Sequence, residues 1–509
     1  MHDGVALGAG EQAASVESGG RLVLAIDQGT SATKCIVVGE DGRIRRRVSV
    51  AIGQQHPQPG WAEQDAIEIW NSVQQATREV LADIDPGQVA AVGLSTQRES
   101  TVLWDRATGE PLGPLLGWQD IRGAEKCARL RLAGHAERVF ATTGLPLDPM
   151  FSAAKASALL DLYDSDRSRS SQGELCLGTV DSWLLWRLGG EHLIEAGNAA
   201  RTQLLDITTR RWDPWLLDLF AVPIETLPTV MPSTGPFVGC VGLDPLPEAT
   251  RVTGVLGDSH AALFAHAGWR QGQVKVTYGT GSSVMGVTTD PLAHSAGVAR
   301  TVAWELDRPT YALEGNIRAT GATLVWLARL LDMTPAEVAA AAAPDSGGVV
   351  LVPAFTGLGA PWWDDKVQGT ITGLSVETGR AQLCRAGLES IAFQIEDVVA
   401  AVEKAAGVIT EILADGGPST NARLMQLQAD TSGRRVSTSQ VAELSAMGAA
   451  YVAGLGAGMW SMSDLDALSR PRSMYRPELT SGERDERLQH WHTSVTAARG
   501  IGTPPGGVA

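Results

Sequence analysis

The sequence predicts an α/β protein built as two similar lobes, with a nucleotide held in the cleft between them. Three observations predict it. Short apolar runs that read as buried strands alternate along the chain with segments of helical period, the pattern of α/β architecture. A glycine-rich phosphate-binding signal occurs three times, in Leu24-Ala-Ile-Asp-Gln-Gly-Thr30, Val276-Thr-Tyr-Gly-Thr-Gly-Ser282 and Ile412-Leu-Ala-Asp-Gly-Gly417, split between the two halves of the chain. Glycine there lets successive N–H groups converge on a phosphate with no side chain in the way. Hairpin turns use the same residues for local reasons, so the recurrence carries more weight than any single loop. Finally, 509 residues exceed one ordinary domain.

In chain order, residues 21–38 read as two strands joined at a loop over 27–33, and Asp41-Gly42 turns into a third. A helix follows Asp65, because Ile69, Val73, Ala76 and Val80 recur at spacings of four, three and four. Residues 89–94 form a buried strand. The second half starts again with strands at 274–278 and 283–287, then helices at 321–331, 381–406 and 418–432. Pro418, just after Gly416-Gly417, marks the start of the last of these. The recurrence of loop, hairpin and helices places a lobe boundary near Ala262, giving lobes at 21–262 and 263–490. Residues 1–20 read as a disordered tail and 491–509 as a C-terminal tail, although Trp491 can dock a final helix.

Composition excludes several partners. The formal net charge is -16 and no basic stretch exceeds the three arginines Arg45, Arg46 and Arg47, read as a solvated turn face, so neither nucleic acid nor an anionic membrane is expected. No run of apolar residues is long enough to span a bilayer, and the first residues lack the basic and apolar regions of a signal peptide. Cys35, Cys127, Cys176, Cys240 and Cys384 lie far apart in no metal-binding spacing, which fits a reduced, cytoplasmic protein.

Asp258 follows the apolar run 252–256 through Gly257, a strand-end carboxylate able to accept a hydroxyl proton; an N-cap for the helix after it is the structural alternative. At this point the chain resembles the FGGY family of carbohydrate kinases, and within it the glycerol kinase branch. The resemblance rests on Ile26-Asp-Gln-Gly-Thr-Ser31, Thr96-Gln-Arg-Glu-Ser-Thr101, Gly178-Thr-Val-Asp-Ser-Trp-Leu-Leu-Trp186, Gly257-Asp-Ser-His-Ala-Ala-Leu263, Tyr278-Gly-Thr-Gly281, Phe355-Thr-Gly-Leu-Gly-Ala-Pro361 and Asp415-Gly-Gly417, in family order. It implies two actin-like (ribonuclease H-like) lobes, with ATP, Mg²⁺ and a small polyol or sugar meeting in the cleft. By the same resemblance Asp258 is the general base, Asp27 positions the magnesium ion, and Thr30, Ser31 and Lys34 contact the phosphates. Lys34 stands where the glycerol kinase pattern has arginine.

Arg98 and Glu99 match the family's polyol-binding pair. Neighbours in a strand point to opposite faces, so the two can share a ligand only on a turn at the strand's end. Arginine donates to hydroxyls and glutamate accepts from them. Thr280, Gly321, Gly417 and Asn421 align with nucleotide contacts, with Asn421 one turn into the helix from Pro418; Val325 replaces a glutamine near adenine. Trp118 matches the tryptophan that covers the carbon face of the substrate.

Three substrate positions depart together. Met150 replaces a tyrosine, Ser283 an aromatic residue, and Ser259, followed by His260, a glutamine. These changes enlarge the pocket and add hydroxyl-binding groups, while His260 reads as a packed or helix-surface residue. Phosphorylation of glycerol to glycerol 3-phosphate is the single best expectation. A four- or five-carbon polyol, or a ketose such as xylulose, is the alternative, and a non-phosphorylating actin-like ATPase or nucleotide-binding regulator the remote one. A homo-oligomer is expected. The glycine-rich effector loop of some glycerol kinases is not recognisable in 235–253.

Overall fold

A computed structural model describes residues 20–501. The first lobe opens with β1 (Leu22–Gln28), β2 (Ala32–Gly39) and β3 (Ile44–Ala51), followed by α1 (Ala66–Val80) and β4 (Val89–Thr96). After a long insertion that includes α2 (Ser152–Tyr163) and α3 (Ala196–Ala200), β5 (Val252–Gly257) and α4 (Asp258–Ala265) complete it. Its sheet runs β5-β4-β1-β2-β3, with β1, β4 and β5 parallel and the β1-β2-β3 hairpins antiparallel.

The second lobe has β6 (Gln273–Tyr278), β7 (Ser282–Thr288), β8 (Ala299–Glu305), β9 (Pro309–Ile317), α5 (Gly321–Leu331), α6 (Arg380–Ala406) and β10 (Glu411–Asp415). It continues with α7 (Ala422–Ser432), β11 (Arg435–Ser439), α8 (Leu444–Gly456), β12 (Arg472–Tyr475) and α9 (Ser481–Ile501). The sheet order is β8-β9-β7-β6-β10-β11-β12. Stripped of its edge strands β8 and β12, it repeats the strand directions of the first sheet: two antiparallel pairings, then two parallel strands on the other side of the first strand. The duplication expected from the recurring loops is thus a duplication of strand directions.

The first strand is apolar throughout because both of its faces are covered. Leu22, Leu24 and Ile26 pack with α1, while Val23 and Ala25 point the other way, onto α4 and α8. Asp65 caps α1 by accepting from Ile67 and Glu68, and the predicted stripe Ile69, Val73, Ala76, Val80 is its buried face. Helix α8, although it follows the second sheet in sequence, lies on the first lobe's sheet against β4 and β5. Close approach is possible because Gly93 and Gly254 face it: a Cβ at either would sit 2.4 Å from Ala449 O or 2.3 Å from Ala453 N.

Three expectations are corrected. Residues 491–501 are no tail: α9 buries Trp491, Val495 and Ala498, and the Trp491 indole donates to Asp397 at 2.8 Å. The remaining tail assignments, 1–19 and 502–509, lie outside the described residues. Pro418 opens a short 3-10 turn, Gly417–Thr420, and α7 begins only at Ala422. Arg45, Arg46 and Arg47 lie on β3 rather than on a turn, with Arg45 paired to Asp41 and Arg46 to Asp83.

Candidate active site

β5 ends at Gly257, which is itself the residue preceding α4, so Asp258 is the helix's first residue and not its cap. Its side chain remains 37% exposed to the cleft and accepts from Arg98 Nε at 3.2 Å and from the Ser259 N–H at 2.6 Å. Burial raises the Asp258 pKa, Arg98 opposes that rise, and Glu99 adds to it. Asp27, at the end of β1, accepts from the Ser95 hydroxyl at 2.7 Å. Burial, with Asp258 nearby, pushes its pKa up to about 6, against the pull of Ser95 and Lys34. Asp27, bonded to a hydroxyl at its strand end, suits a divalent cation brought in with phosphates, and Asp258 lies at the same end of the sheet with β4 between their strands. Among the described residues no three His, Cys, Asp or Glu side chains converge as a self-sufficient metal site.

Beyond Thr96 the chain leaves β4 and turns, and Glu99 adopts a left-handed backbone (φ 61°). That turn is what the pair Arg98-Glu99 required. The two do not grip each other, since Arg98 Nε lies 4.0 Å from Glu99 Oε1. Instead Arg98 forks onto Glu314 of β9 (3.2 and 3.1 Å), and Glu99 accepts from Arg201 Nε, at the end of α3, at 2.6 Å. His260 is packed, as expected: it is fully buried, its Nε2 sits 3.5 Å from Arg98, and burial together with Arg98 holds its pKa well below the usual value.

Trp118, 39% exposed, donates its indole N–H to Thr30 Oγ1 at 3.1 Å, which ties it to the first glycine loop. Met150 is half-buried against Leu145, Phe151 and Ala299. Lys155 of α2, fully buried, donates to Gly117 O at 3.0 Å and to Met150 O, and so ties the segments carrying Trp118 and Met150 together through their backbones. Ser259 is half-buried, and its carbonyl accepts from Lys275 Nζ at 3.3 Å. Ser283, on β7 where the family's aromatic residue would stand, donates its hydroxyl to Glu314 at 3.3 Å.

The second-lobe loops assemble around α5. Gly321 N–H donates to Gly279 O at 2.9 Å, and Thr320 and Ala322 N–H both donate to Thr280 O. A Cβ on Gly321 would sit 2.6 Å from Gly279 O, and one on Gly416 (φ 87°) 2.0 Å from Tyr278 O, so these glycines let the loops close on one another. A Cβ on Gly417 would meet nothing within 4 Å, so this backbone is exposed with open space over it. Thr280 is exposed beside it in the chain's second glycine loop, while Ser31 and Lys34 are exposed on the β1–β2 hairpin, with Lys34 opposite Asp27 in register. Asn421 is placed differently from expectation. It is the N-cap of α7, its side chain accepting from Arg423 and Leu424, because the helix starts four residues after Pro418. Val325 is half exposed on α5.

Sequence motifs alone did not single out Glu314, Arg201 or Lys155. A charged residue inside the apolar strand Pro309–Ile317, and a lone lysine in the small-residue stretch of α2, are the signals that mark them, because a buried charge requires partners.

Models of the FGGY family of carbohydrate kinases match the chain twice, its N-terminal domain over residues 22–265 and its C-terminal domain over 274–457. The chain belongs to the FGGY family of carbohydrate kinases. An apulose kinase from Pectobacterium atrosepticum is 41% identical over 94% of this chain and 98% of its own, and a glycerol kinase from Aromatoleum aromaticum 42% identical over 94% and 99%. Among solved structures, glycerol kinase from Plasmodium falciparum with ADP superposes at a TM-score of 0.89, with 28% identity over 94% of this chain and 98% of its own. Xylulose kinase from Lactobacillus acidophilus, at 21% identity over 95% and 99%, shares the fold with a TM-score of 0.86. This FGGY protein therefore has the two-lobed actin-like fold and is an ATP-dependent phosphotransferase acting on a sugar or polyol. No helix among the described residues is long and apolar enough to cross a membrane.

Proposed function

We propose that this kinase phosphorylates a hydroxyl of a four- to five-carbon polyol or ketose; an apulose kinase stands among its relatives beside the glycerol kinases. The observation that carries this reading is the Ser283 hydroxyl on Glu314: a polar wall stands where the glycerol kinase pattern places an aromatic one. A larger acceptor gains both room and a hydrogen-bonding partner there. Glycerol is the second reading, supported by the retained Arg98, Glu99, Trp118 and Asp258 and by the glycerol kinase relatives.

In either case the chemistry belongs to the same residues. Asp258 accepts the proton of the acceptor hydroxyl as its oxygen attacks the γ-phosphorus of ATP, and Arg98 and Glu99 orient the neighbouring hydroxyls. Trp118 covers the carbon skeleton and excludes water from one side. Asp27 would hold Mg²⁺ together with phosphate oxygens; the ion supplies charge neutralisation on the transferring group. Thr30, Ser31, Lys34, Thr280, Gly321 and Gly417 serve the nucleotide, whereas Asn421 contributes through the start of α7.

Release of ADP measured across C3 to C6 polyols and ketoses tests the choice. The first reading expects kcat/KM for at least one C4 or C5 acceptor to exceed that for glycerol by about tenfold or more. Glycerol outperforming every longer acceptor would leave the second reading in its place.

A further inference from the structure

Glu314 is absent from the motifs that carry the family resemblance, yet it is the most heavily engaged carboxylate at the cleft. Its side chain is 1% exposed. Both of its oxygens take Arg98, Oε2 also meets Arg201 Nη1 at 2.8 Å, and Oε1 accepts the Ser283 hydroxyl. Burial works against its charge, but Arg201 and Arg98 outweigh it and hold the carboxyl well below the usual range. It stays ionised at any working pH.

The arrangement is a ring of four charges. Arg98 is held by Glu314, Glu314 also by Arg201, Arg201 holds Glu99, and Glu99 returns to within 4.0 Å of Arg98. Three members come from the first lobe and only Glu314 from the second. Its strand lies beside β8, whose main chain is tied to the first lobe where Arg300 N–H donates to Gly144 O (2.8 Å) and Glu305 O accepts from Ser233 N–H (2.7 Å). Glu314 is therefore anchored at the cleft floor.

Arg98 has two further acceptors, Asp258 at 3.2 Å and the buried His260 Nε2 at 3.5 Å. Its fork is shared between a carboxylate of each lobe, and the partition decides both where its remaining N–H groups point and how strongly it quenches Asp258. We propose that Glu314 is a positioning residue for phosphoryl transfer, holding Arg98 in the orientation that binds acceptor hydroxyls and keeping it from closing onto the base Asp258. The proposal rests on the roles given above to Arg98 and Asp258.

The test is Glu314→Gln, which keeps the shape and removes the charge, assayed with whichever acceptor the wild type uses best. With Glu314 neutral, Arg98 turns to Asp258. The groups facing Glu314 are then Arg98, Arg201, His260, Lys275 and Ser283; those facing Asp258 are Arg98, Glu99, Lys275 and Asp27. Removal of one negative charge from this set favours the anion of Asp258, so the acid limb of kcat/KM moves to lower pH. Acceptor KM rises and acceptor kcat/KM falls by about 10- to 100-fold, while the ATP KM stays within about twofold.

A purely structural ion pair would lower the melting temperature and the active fraction but move neither the acid limb nor the acceptor KM. A folded Glu314→Gln with wild-type limb and acceptor KM overturns the proposal. Should that variant fail to fold, Glu314→Asp decides: it keeps the charge and retracts it, so the limb stays in place and acceptor KM rises about fivefold or more, whereas an unchanged acceptor KM overturns the proposal. Asp258→Asn measured alongside separates the premise from the inference, since full turnover without Asp258 would remove the base assignment whatever Glu314 does.

Discussion

Replacing the polar wall by an aromatic one discriminates between the two acceptor readings. In Met150→Tyr with Ser283→Phe, the phenyl ring takes the place of a hydroxyl that now donates to Glu314, and the phenol stands over a half-buried position beside Leu145 and Phe151. Glu314 keeps Arg98 and Arg201, so the charged floor survives the change. A ring laid against a three-carbon chain removes about 40 to 80 Å² of apolar surface from water, worth about 1 to 2 kcal/mol at 25 cal/mol per Å². A five-carbon acceptor loses the hydroxyl partner and meets the ring, a penalty of about 1 to 3 kcal/mol. The two effects act in opposite directions on the two substrates. The ratio of kcat/KM for glycerol to that for the best C5 acceptor therefore changes by about 2 to 5 kcal/mol, a rise of about thirtyfold to several thousandfold. Coupled ADP release at several acceptor concentrations gives both parameters, and circular dichroism on the same samples controls for folding. Equal loss on both substrates, with a wild type that already prefers glycerol, would refute the enlarged-pocket reasoning.

Other outcomes follow from the same coordinates. Asp258→Asn removes the proton acceptor and lowers kcat by about 10² to 10⁴, with nucleotide binding by calorimetry unchanged. In the wild type, burial raises Asp258 and pushes Asp27 up to about 6, so Asp27 is ionised only above that range; kcat/KM falls as pH drops through about 6, the limb belonging to the coupled pair. Lys155→Met leaves the carbonyls of Gly117 and Met150 without their shared donor, and acceptor KM rises about tenfold while ATP KM holds, as initial-rate kinetics will show. Glu195, raised by burial to about 8 from the ordinary 4.5, keeps its proton in the folded state where the unfolded chain has lost it. Stability therefore declines as pH climbs from about 4.5 to about 8, and Glu195→Gln flattens that part of the Tm profile in scanning calorimetry.

Much of this architecture was legible because local and global constraints coincide in particular residues. The run Leu22–Gln28 reads as a strand with both faces covered, and it is one. Arg98-Glu99 demanded a turn, and the left-handed Glu99 supplies it. Asn421 was misplaced because Pro418 opens a 3-10 turn rather than α7, and only the asparagine's side-chain bonds reveal the true start. The end of helix α9, from Trp491 on, reads as a tail because its polar residues outnumber the buried Trp491, Val495 and Ala498, with Trp491 the one signal of a docked final helix. The charge ring was invisible for a different reason: Glu314 meets an arginine 216 residues away, and no local pattern encodes a partner at that distance.

Helix α8 gives the order of synthesis a structural meaning. One face of the first lobe's sheet, including Val23, Ala25, Ile36, Ala91 and Leu256, is covered by Ala446, Met447, Ala449, Ala450 and Ala453. A ribosome that has made residues 22–265 has therefore made a sheet with that apolar side covered only by α4, and nearly two hundred further residues must emerge before α8 completes the cover. Asp258 and the Arg98 fork, to which the proposed function gives the chemistry, sit at the ends of β5 and β4, two strands of that sheet. Their final packing therefore waits on a helix from the second half of the chain, although they are translated in the first.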